Sequence, residues 1–135
     1  MKERVSKIAQ RPEALPAPAE VSELLRDYAQ PLLYADPEGP SDIETIRTAM
    51  MLAMICWNLP VYEATGSALF EQGRRTLGKV MKSVPSVVAA SLERLIEDRQ
   101  TKFGEYAFLA LVEVEGTTLE NAKIVAQAKL PRHKL

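Results

Sequence analysis

Residues 73–80, GRRTLGKV, come close to the phosphate-binding pattern G-x-x-x-x-G-K-[ST]. The match fails at its last position, where Val80 replaces the hydroxyl group that would coordinate magnesium. A working loop of this kind also follows a buried strand, whereas the preceding residues SALFEQ continue an amphipathic helical pattern. Gly73 falls on the apolar side of that pattern, where its missing side chain lets a neighbouring helix approach. We therefore predict a helix here, with no nucleotide site and no cofactor.

The same segment carries a basic stripe with the chemistry to contact a polyanion. On a helix over residues 66–82, the basic side chains gather opposite the apolar ones, and no acidic residue occurs between positions 72 and 92. Phosphate groups bind to basic side chains that share one face. The alternative is a solvated helix face, which Glu71, one turn before Arg75, favours. The possible polyanion contacts are Arg74, Arg75, Lys79 and Lys82.

Histidine and cysteine, on which metal sites and nucleophilic catalysis often depend, occur once each. His133 lies in the terminal segment LPRHKL, with no cluster of further ligands around it. Cys56 stands between Ile55 and Trp57, so we expect both Cys56 and Trp57 to be buried. The sequence predicts no catalytic residues and no metal site. A single cysteine forms no internal disulfide, which favours a reducing compartment such as the cytoplasm.

Carboxylates cluster in the segment DPEGPSD and again near the end of the chain. Their spacing in the first cluster does not fit a calcium-binding loop, so we interpret it as a turn followed by a helix cap, with Ser41 and Glu44 three residues apart as in a capping box. Glu113 and Glu115 alternate with valines, which predicts the exposed face of a strand. The carboxylates of the first cluster are Asp36, Glu38, Asp42 and Glu44.

Length and composition limit the classes of protein to consider. A chain of 135 residues with 47% apolar residues is long enough for one hydrophobic core, so we expect a single globular domain over residues 21–135. Three prolines interrupt the N-terminal stretch 1–20, which we interpret as an arm or linker. With 17 basic and 18 acidic side chains, no overall field attracts a polyanion or a membrane, and no apolar run predicts a membrane partner.

Hydrophobic periodicity predicts four helices. The first contains Pro31, which we expect to kink or end it. The second is apolar on all sides, so we expect it to be central, and we expect it to end before Pro60. On the fourth, Arg94 and Lys102 lie one turn either side of Asp98, on what we expect to be its solvated face. The predicted helices cover residues 21–32, 42–58, 66–82 and 85–102.

The apolar period changes to two between Tyr106 and Val114, which predicts a strand. Residues 120–130 fit either a strand or a helix, and we favour a strand because a lone strand leaves its backbone groups unpaired. The expected fold is therefore α+β and mainly helical: about four helices around a central apolar helix, with a C-terminal antiparallel hairpin around GTTLEN.

Three classes of function remain open at this point. Apolar helical surface is plentiful and catalytic side chains are scarce, which favours a non-enzymatic protein–protein interaction or regulatory module. A two-stranded hairpin has open edges, so we expect a homodimer with segment 105–130 at or near the interface. The alternative is a nucleic-acid-binding module that uses the basic face of residues 66–82. The third option is an enzyme without metal or histidine chemistry.

Overall fold

The computed structural model describes residues 16–131, which form five helices followed by two strands. This order confirms the predicted α+β, mainly helical fold with a C-terminal antiparallel hairpin. His133 and most of the predicted N-terminal arm lie outside the described residues. The helices are α1 (Pro18–Tyr28), α2 (Gln30–Leu33), α3 (Ile43–Ala64), α4 (Leu69–Ser83) and α5 (Ser86–Thr101), and the strands are β1 (Leu109–Glu115) and β2 (Lys123–Lys129).

The first predicted helix is two helices. α1 begins at Pro18, three residues earlier than predicted, because a proline in the first turn has a suitable φ and lacks an N–H that would have no helical partner there. The chain then restarts as the one-turn helix α2, with Pro31 in its first turn, where the missing N–H again removes no helical hydrogen bond. Pro31 thus starts a short helix instead of ending a long one.

Both ends of α3 differ from the prediction. Its N-cap is Asp42, not Ser41: the Asp42 carboxylate accepts a hydrogen bond from the Thr45 N–H at 2.8 Å. At the other end, α3 continues through Pro60 to Ala64. Pro60 lacks an N–H group, so one helical hydrogen bond is lost. The carbonyl left without this bond is that of Cys56, four residues earlier. The neighbouring carbonyl of Trp57 accepts a hydrogen bond from Nε of Arg99 at 2.8 Å, which ties this part of α3 to α5.

α4 packs against α3 at a glycine. A Cβ atom added to Gly73 would lie 2.9 Å from Cδ2 of Leu59, so the predicted close approach of a neighbouring helix is confirmed. α4 begins at Leu69, three residues later than predicted, after a turn in which Gly66 has a φ of 70°. Within this helix only Leu77 is fully buried, so much of its apolar side is only partly covered.

The core is organised around Trp57, which is fully buried as predicted. Its ring meets that of Tyr28 edge-on, with centroids 5.2 Å apart, and its indole N–H donates to the carbonyl of Phe108 at 3.0 Å. The rings of Phe103 and Tyr106 lie 5.8 Å from the Trp57 ring. These contacts join α1, α3 and the segment that leads into β1, so one aromatic cluster holds the helical layer and the hairpin together.

The two strands pair in antiparallel register, with Leu109 opposite Lys129 and Glu115 opposite Lys123. Residues 123–129 are therefore a strand, and the prediction of a hairpin is confirmed. In the connecting turn, the Asn121 side chain accepts hydrogen bonds from the N–H groups of Thr117 and Thr118. The inner face of the hairpin packs on α1 and α3, while the outer face points away from them.

Replacing Trp57 with alanine should lower the free energy of unfolding by about 3–5 kcal/mol, because the change leaves a large cavity and removes a buried hydrogen bond. Urea unfolding followed by far-ultraviolet circular dichroism measures this difference. The native protein should emit tryptophan fluorescence typical of a buried indole. An emission maximum typical of exposed indole would contradict the central place of Trp57 in the core.

Candidate functional site

The phosphate-loop resemblance lies inside α4. Residues 73–80 are helical throughout, and no strand leads into them. Since these residues begin in the second turn of α4, their backbone N–H groups point along the helix and bond to earlier carbonyls. Such groups do not wrap around a phosphate as those of a working loop do.

The basic stripe is on the surface, as its amphipathic pattern predicts. Arg74 pairs with Glu71 at 2.9 Å, whereas we expected Glu71 to offset Arg75. The side chains of Arg75, Lys79 and Lys82 are exposed and form no ion pair with any residue between 16 and 131. The structure thus leaves three neighbouring cations on one face of α4.

The carboxylates of the DPEGPSD segment have structural roles where their contacts are seen. The Asp36 carboxylate accepts a hydrogen bond from the Glu38 N–H at 3.0 Å, and Asp42 caps α3. The bonds from Thr45 lower the pKa of Asp42 below its usual value. Within the described part of the chain, no three side chains of the metal-binding types lie close enough together to hold an ion.

Buried titratable groups are found where the sequence did not indicate them. Asp98 pairs with Arg94 at 3.5 Å and with Lys102 at 3.9 Å, as their spacing of one turn predicts. The prediction that Asp98 lies on a solvated face was wrong, because its side chain is only 11% exposed. Its neighbour Arg99 is 3% exposed and was not singled out. A single basic residue on an otherwise regular helix gives no signal of burial, since long cationic side chains usually reach solvent.

The guanidinium of Arg99 is held by neutral groups. It donates to the backbone carbonyls of Trp57, Phe103 and Tyr106, and its central carbon lies 4.1 Å from the centroid of the Trp57 ring. Burial lowers the pKa of Arg99 to about 10, so it remains charged near neutral pH. The cation–π contact and the carbonyl dipoles offset part of the cost of burying this charge.

The remaining buried groups have no partner suited to catalysis. Cys56 is buried as predicted, and burial raises the pKa of its thiol to about 12, which keeps it protonated and unreactive. Burial also raises the pKa of Tyr28, whose hydroxyl donates to the carbonyl of Leu95 at 2.8 Å.

Side chains from two helices bond to the edges of the hairpin. On β1, the Asn58 side chain accepts from the Ala110 N–H at 2.8 Å and donates to the Ala110 carbonyl at 3.1 Å, as a neighbouring strand would. On β2, the Ser22 hydroxyl accepts from the Ala126 N–H at 2.8 Å. Our expectation that both edges are open was therefore wrong at these positions. A partner strand has no free backbone groups to join at Ala110.

A depression of about 200 Å³ beside the hairpin, which we call the leucine groove, exposes large apolar side chains. Three leucines from different elements meet there: Leu69 at the start of α4, Leu111 on the outer face of β1, and Leu130 just after β2. They are 47%, 45% and 43% exposed, respectively. The groove is also lined by Asn58, Tyr62, Thr65, Ser67, Leu109 and Lys129.

Apolar surface continues from the leucine groove along the outer face of the hairpin. Leu111 also lines a second depression of about 320 Å³, together with Met54 and Val125. Glu113 also lines this depression, and Glu115 lies beyond it; both are exposed, as their alternation with valines predicts. The polar end of the hairpin therefore lies near its turn, and the apolar end lies at the groove.

Comparison of the chain with protein-family models, curated proteins and solved structures found no match. The site is thus interpreted from its own geometry. Among residues 16–131, no helix has the length and apolar character needed to cross a bilayer.

Asn58 provides a test of the hairpin attachment. Replacing it with leucine should lower the free energy of unfolding by about 2–4 kcal/mol, because the N–H and carbonyl of Ala110 would be buried without partners. The matched control is Ser83→Ala, which removes an exposed hydroxyl bonded to the Val80 carbonyl and should change stability by less than about 0.5 kcal/mol. Urea unfolding gives both values. Equal stability of Asn58→Leu and the wild type would refute this role.

Proposed function

We propose that this protein is a non-enzymatic protein–protein interaction module that works as a homodimer joined through the leucine groove. The observation that carries the proposal is the meeting of Leu69, Leu111 and Leu130, each more than two-fifths exposed, in one depression. Contiguous exposed apolar surface on a globular chain is characteristic of contact with another macromolecule.

A second copy of this chain is a suitable partner for the groove. The surface around it is mainly apolar and Lys129 is its only charged lining residue, so a two-fold contact brings little like charge together. The same contact extends over the adjoining apolar surface near Met54 and Val125. A stable dimer buries on the order of 1,200 Å² or more in total, which requires this extension in addition to the groove.

The hydrogen bonds at the hairpin edges favour contact through the outer faces of two hairpins over pairing of their edges. Because Asn58 and Ser22 already bond to Ala110 and Ala126, edge-to-edge pairing into a four-stranded sheet would have to break these contacts. A contact through side chains of the outer face leaves them intact. The proposed interface therefore lies within segment 105–130 and the start of α4, at the faces of the hairpins and not their edges.

The buried titratable groups support a non-enzymatic role. Cys56 and Tyr28 lie in the core, Asp42 caps a helix, and Arg99 is buried against backbone carbonyls, so each pKa shift accompanies a structural contact or burial. Perturbed groups that converge in a cleft would instead favour catalysis. We also assign the protein to the cytoplasm, since its single cysteine is buried and free.

Light scattering coupled to size-exclusion chromatography at micromolar concentration tests the dimer. The wild type should have twice the 15.0 kDa mass of one chain. Leu111→Lys should be monomeric with an unchanged circular dichroism spectrum, because it puts a charge into the proposed interface on an exposed side chain. The control is Leu119→Lys, at a leucine of the hairpin turn that is 41% exposed and outside the groove, which should remain dimeric.

A monomeric wild type would refute the homodimer. A dimer that Leu111→Lys does not weaken would place the interface elsewhere and refute the role of the leucine groove. Loss of the dimer in both lysine variants would indicate a general effect of added charge on the hairpin, which also contradicts the proposal.

The basic face of α4 supports a second candidate function, nucleic-acid binding. The supporting observation is that Arg75, Lys79 and Lys82 are exposed without ion pairs among the described residues. Cations arranged along one helix face suit the phosphates of a nucleic-acid backbone. Arg74 contributes less, because Glu71 already pairs with it at 2.9 Å.

A gel-shift titration with a 20-nucleotide single strand and the matching duplex tests this alternative. If three cations each neutralise one phosphate, affinity should fall about 40-fold for the duplex and about 20-fold for the single strand between 50 and 200 mM salt. Lys79→Glu should abolish the shift, and Lys123→Glu, at an exposed lysine of β2, should leave it unchanged. Absence of any shift at 50 mM salt would remove nucleic-acid binding from consideration.

A further inference from the structure

A third depression, which we call the Arg99 cavity, lies at the C-terminal end of α3 and differs from the leucine groove in its charge. Its volume is about 510 Å³, and it lies between the end of α3, the end of α5 and the segment that leads into β1. Volumes of this size are typical of small-molecule sites. The lining residues are Pro60, Val61, Ala64, Thr65, Arg99, Gln100, Gly104, Tyr106, Ala107 and Pro131.

The charge of this cavity has one sign. Arg99 is the only charged residue in its lining, and the other lining residues are mostly apolar. The nearest acidic neighbour in sequence, Asp98, lies between Arg94 at 3.5 Å and Lys102 at 3.9 Å and forms no ion pair with Arg99. Within the described part of the chain, the lining of the cavity therefore carries a positive charge and contains no carboxylate.

Arg99 also has hydrogen-bonding capacity left. A guanidinium carries five N–H groups, and the carbonyls of Trp57, Phe103 and Tyr106 each use one. One N–H on each terminal nitrogen then has no partner among residues 16–131. Arg99 is 3% exposed, and no acidic side chain among residues 16–131 forms an ion pair with it, so an anion is the ligand whose charge would complement it.

We infer that this cavity binds a small monocarboxylate with a compact apolar body, whose carboxylate bonds to the remaining N–H groups of Arg99. The apolar part of the ligand lies against Pro60, Val61 and Ala64, opposite the Tyr106 ring. A cationic ligand is repelled by Arg99, and a neutral one leaves the guanidinium without an anion. This inference is independent of the dimer, because none of the three leucines of the groove lines the cavity.

The small exposed fraction of Arg99 favours a ligand with a small anionic head group. Only 3% of the residue is accessible, which favours a head group as small as a carboxylate over a phosphate, because a phosphate with three charged oxygens would have to bury more charge in the apolar wall. The stack on Trp57 fixes the guanidinium plane, which preorganises its N–H groups before a ligand arrives.

Isothermal titration calorimetry with three matched probes, hexanoate, hexanamide and hexylamine, tests the inference at constant ionic strength. Hexanoate should bind with a dissociation constant of about 1 mM or tighter, and the neutral and cationic probes should bind at least tenfold more weakly. Ala107→Phe, at an exposed lining residue, should abolish hexanoate binding by filling the cavity without touching Arg99. The control is Ala90→Phe, at an exposed position of α5 outside the cavity, which should bind as the wild type does.

Equal binding of hexanoate and hexanamide would overturn the inference, because it would remove the role of Arg99. Hexanoate binding that survives Ala107→Phe would overturn it too, since the anion would then sit elsewhere. The absence of hexanoate binding up to 10 times the expected dissociation constant would do the same. Neither variant alters the leucine groove, so these results are separate from the measurement of the dimer.

Discussion

The contact on which most of this structure depends is the stack of Arg99 on Trp57. The indole lies at the centre of the aromatic cluster, and the guanidinium bonds both to the carbonyl of Trp57 and to the turn at Phe103 and Tyr106. One side chain of α5 thereby joins α3 to the segment that becomes β1. Loss of any one of these carbonyl hydrogen bonds would lower the free energy of unfolding, because a buried N–H group of the charged guanidinium would then have neither water nor a carbonyl as its partner.

The hairpin depends on the same helices for a different reason. Two strands alone are marginally stable, and their outward backbone groups need partners. Asn58 on α3 and Ser22 on α1 supply them at Ala110 and Ala126, which are themselves fully buried small residues that let the helices approach the sheet. Polar side chains of the helices thus bond to the outward backbone groups of this hairpin, as additional strands do in a larger sheet.

The two candidate sites follow from this arrangement. With its inner face on the helices and its edges partly bonded, the hairpin has only its outer face free, and that face becomes apolar where it meets the start of α4. A cavity lined by Arg99 lies between the end of α3, the end of α5 and the segment that leads into β1. The leucine groove therefore suits a macromolecule, and the cavity beside Arg99 suits a small anion.

The sequence by itself determined the elements whose signal is periodic and local. The central apolar helix, the amphipathic α4 with Gly73 against its neighbour, and the strand β1 follow from apolar spacing. The spacing of residues 120–130 fitted a strand or a helix, and only the need of β1 for a partner favoured the strand. Tertiary structure decided where the local rules fail: α3 continues through Pro60 to Ala64, and Arg99 from another helix bonds to the carbonyl of Trp57 near that end. It also decided the burial of Arg99 and the meeting of Leu69, Leu111 and Leu130, because contacts between residues far apart in the chain leave no periodic trace in the sequence.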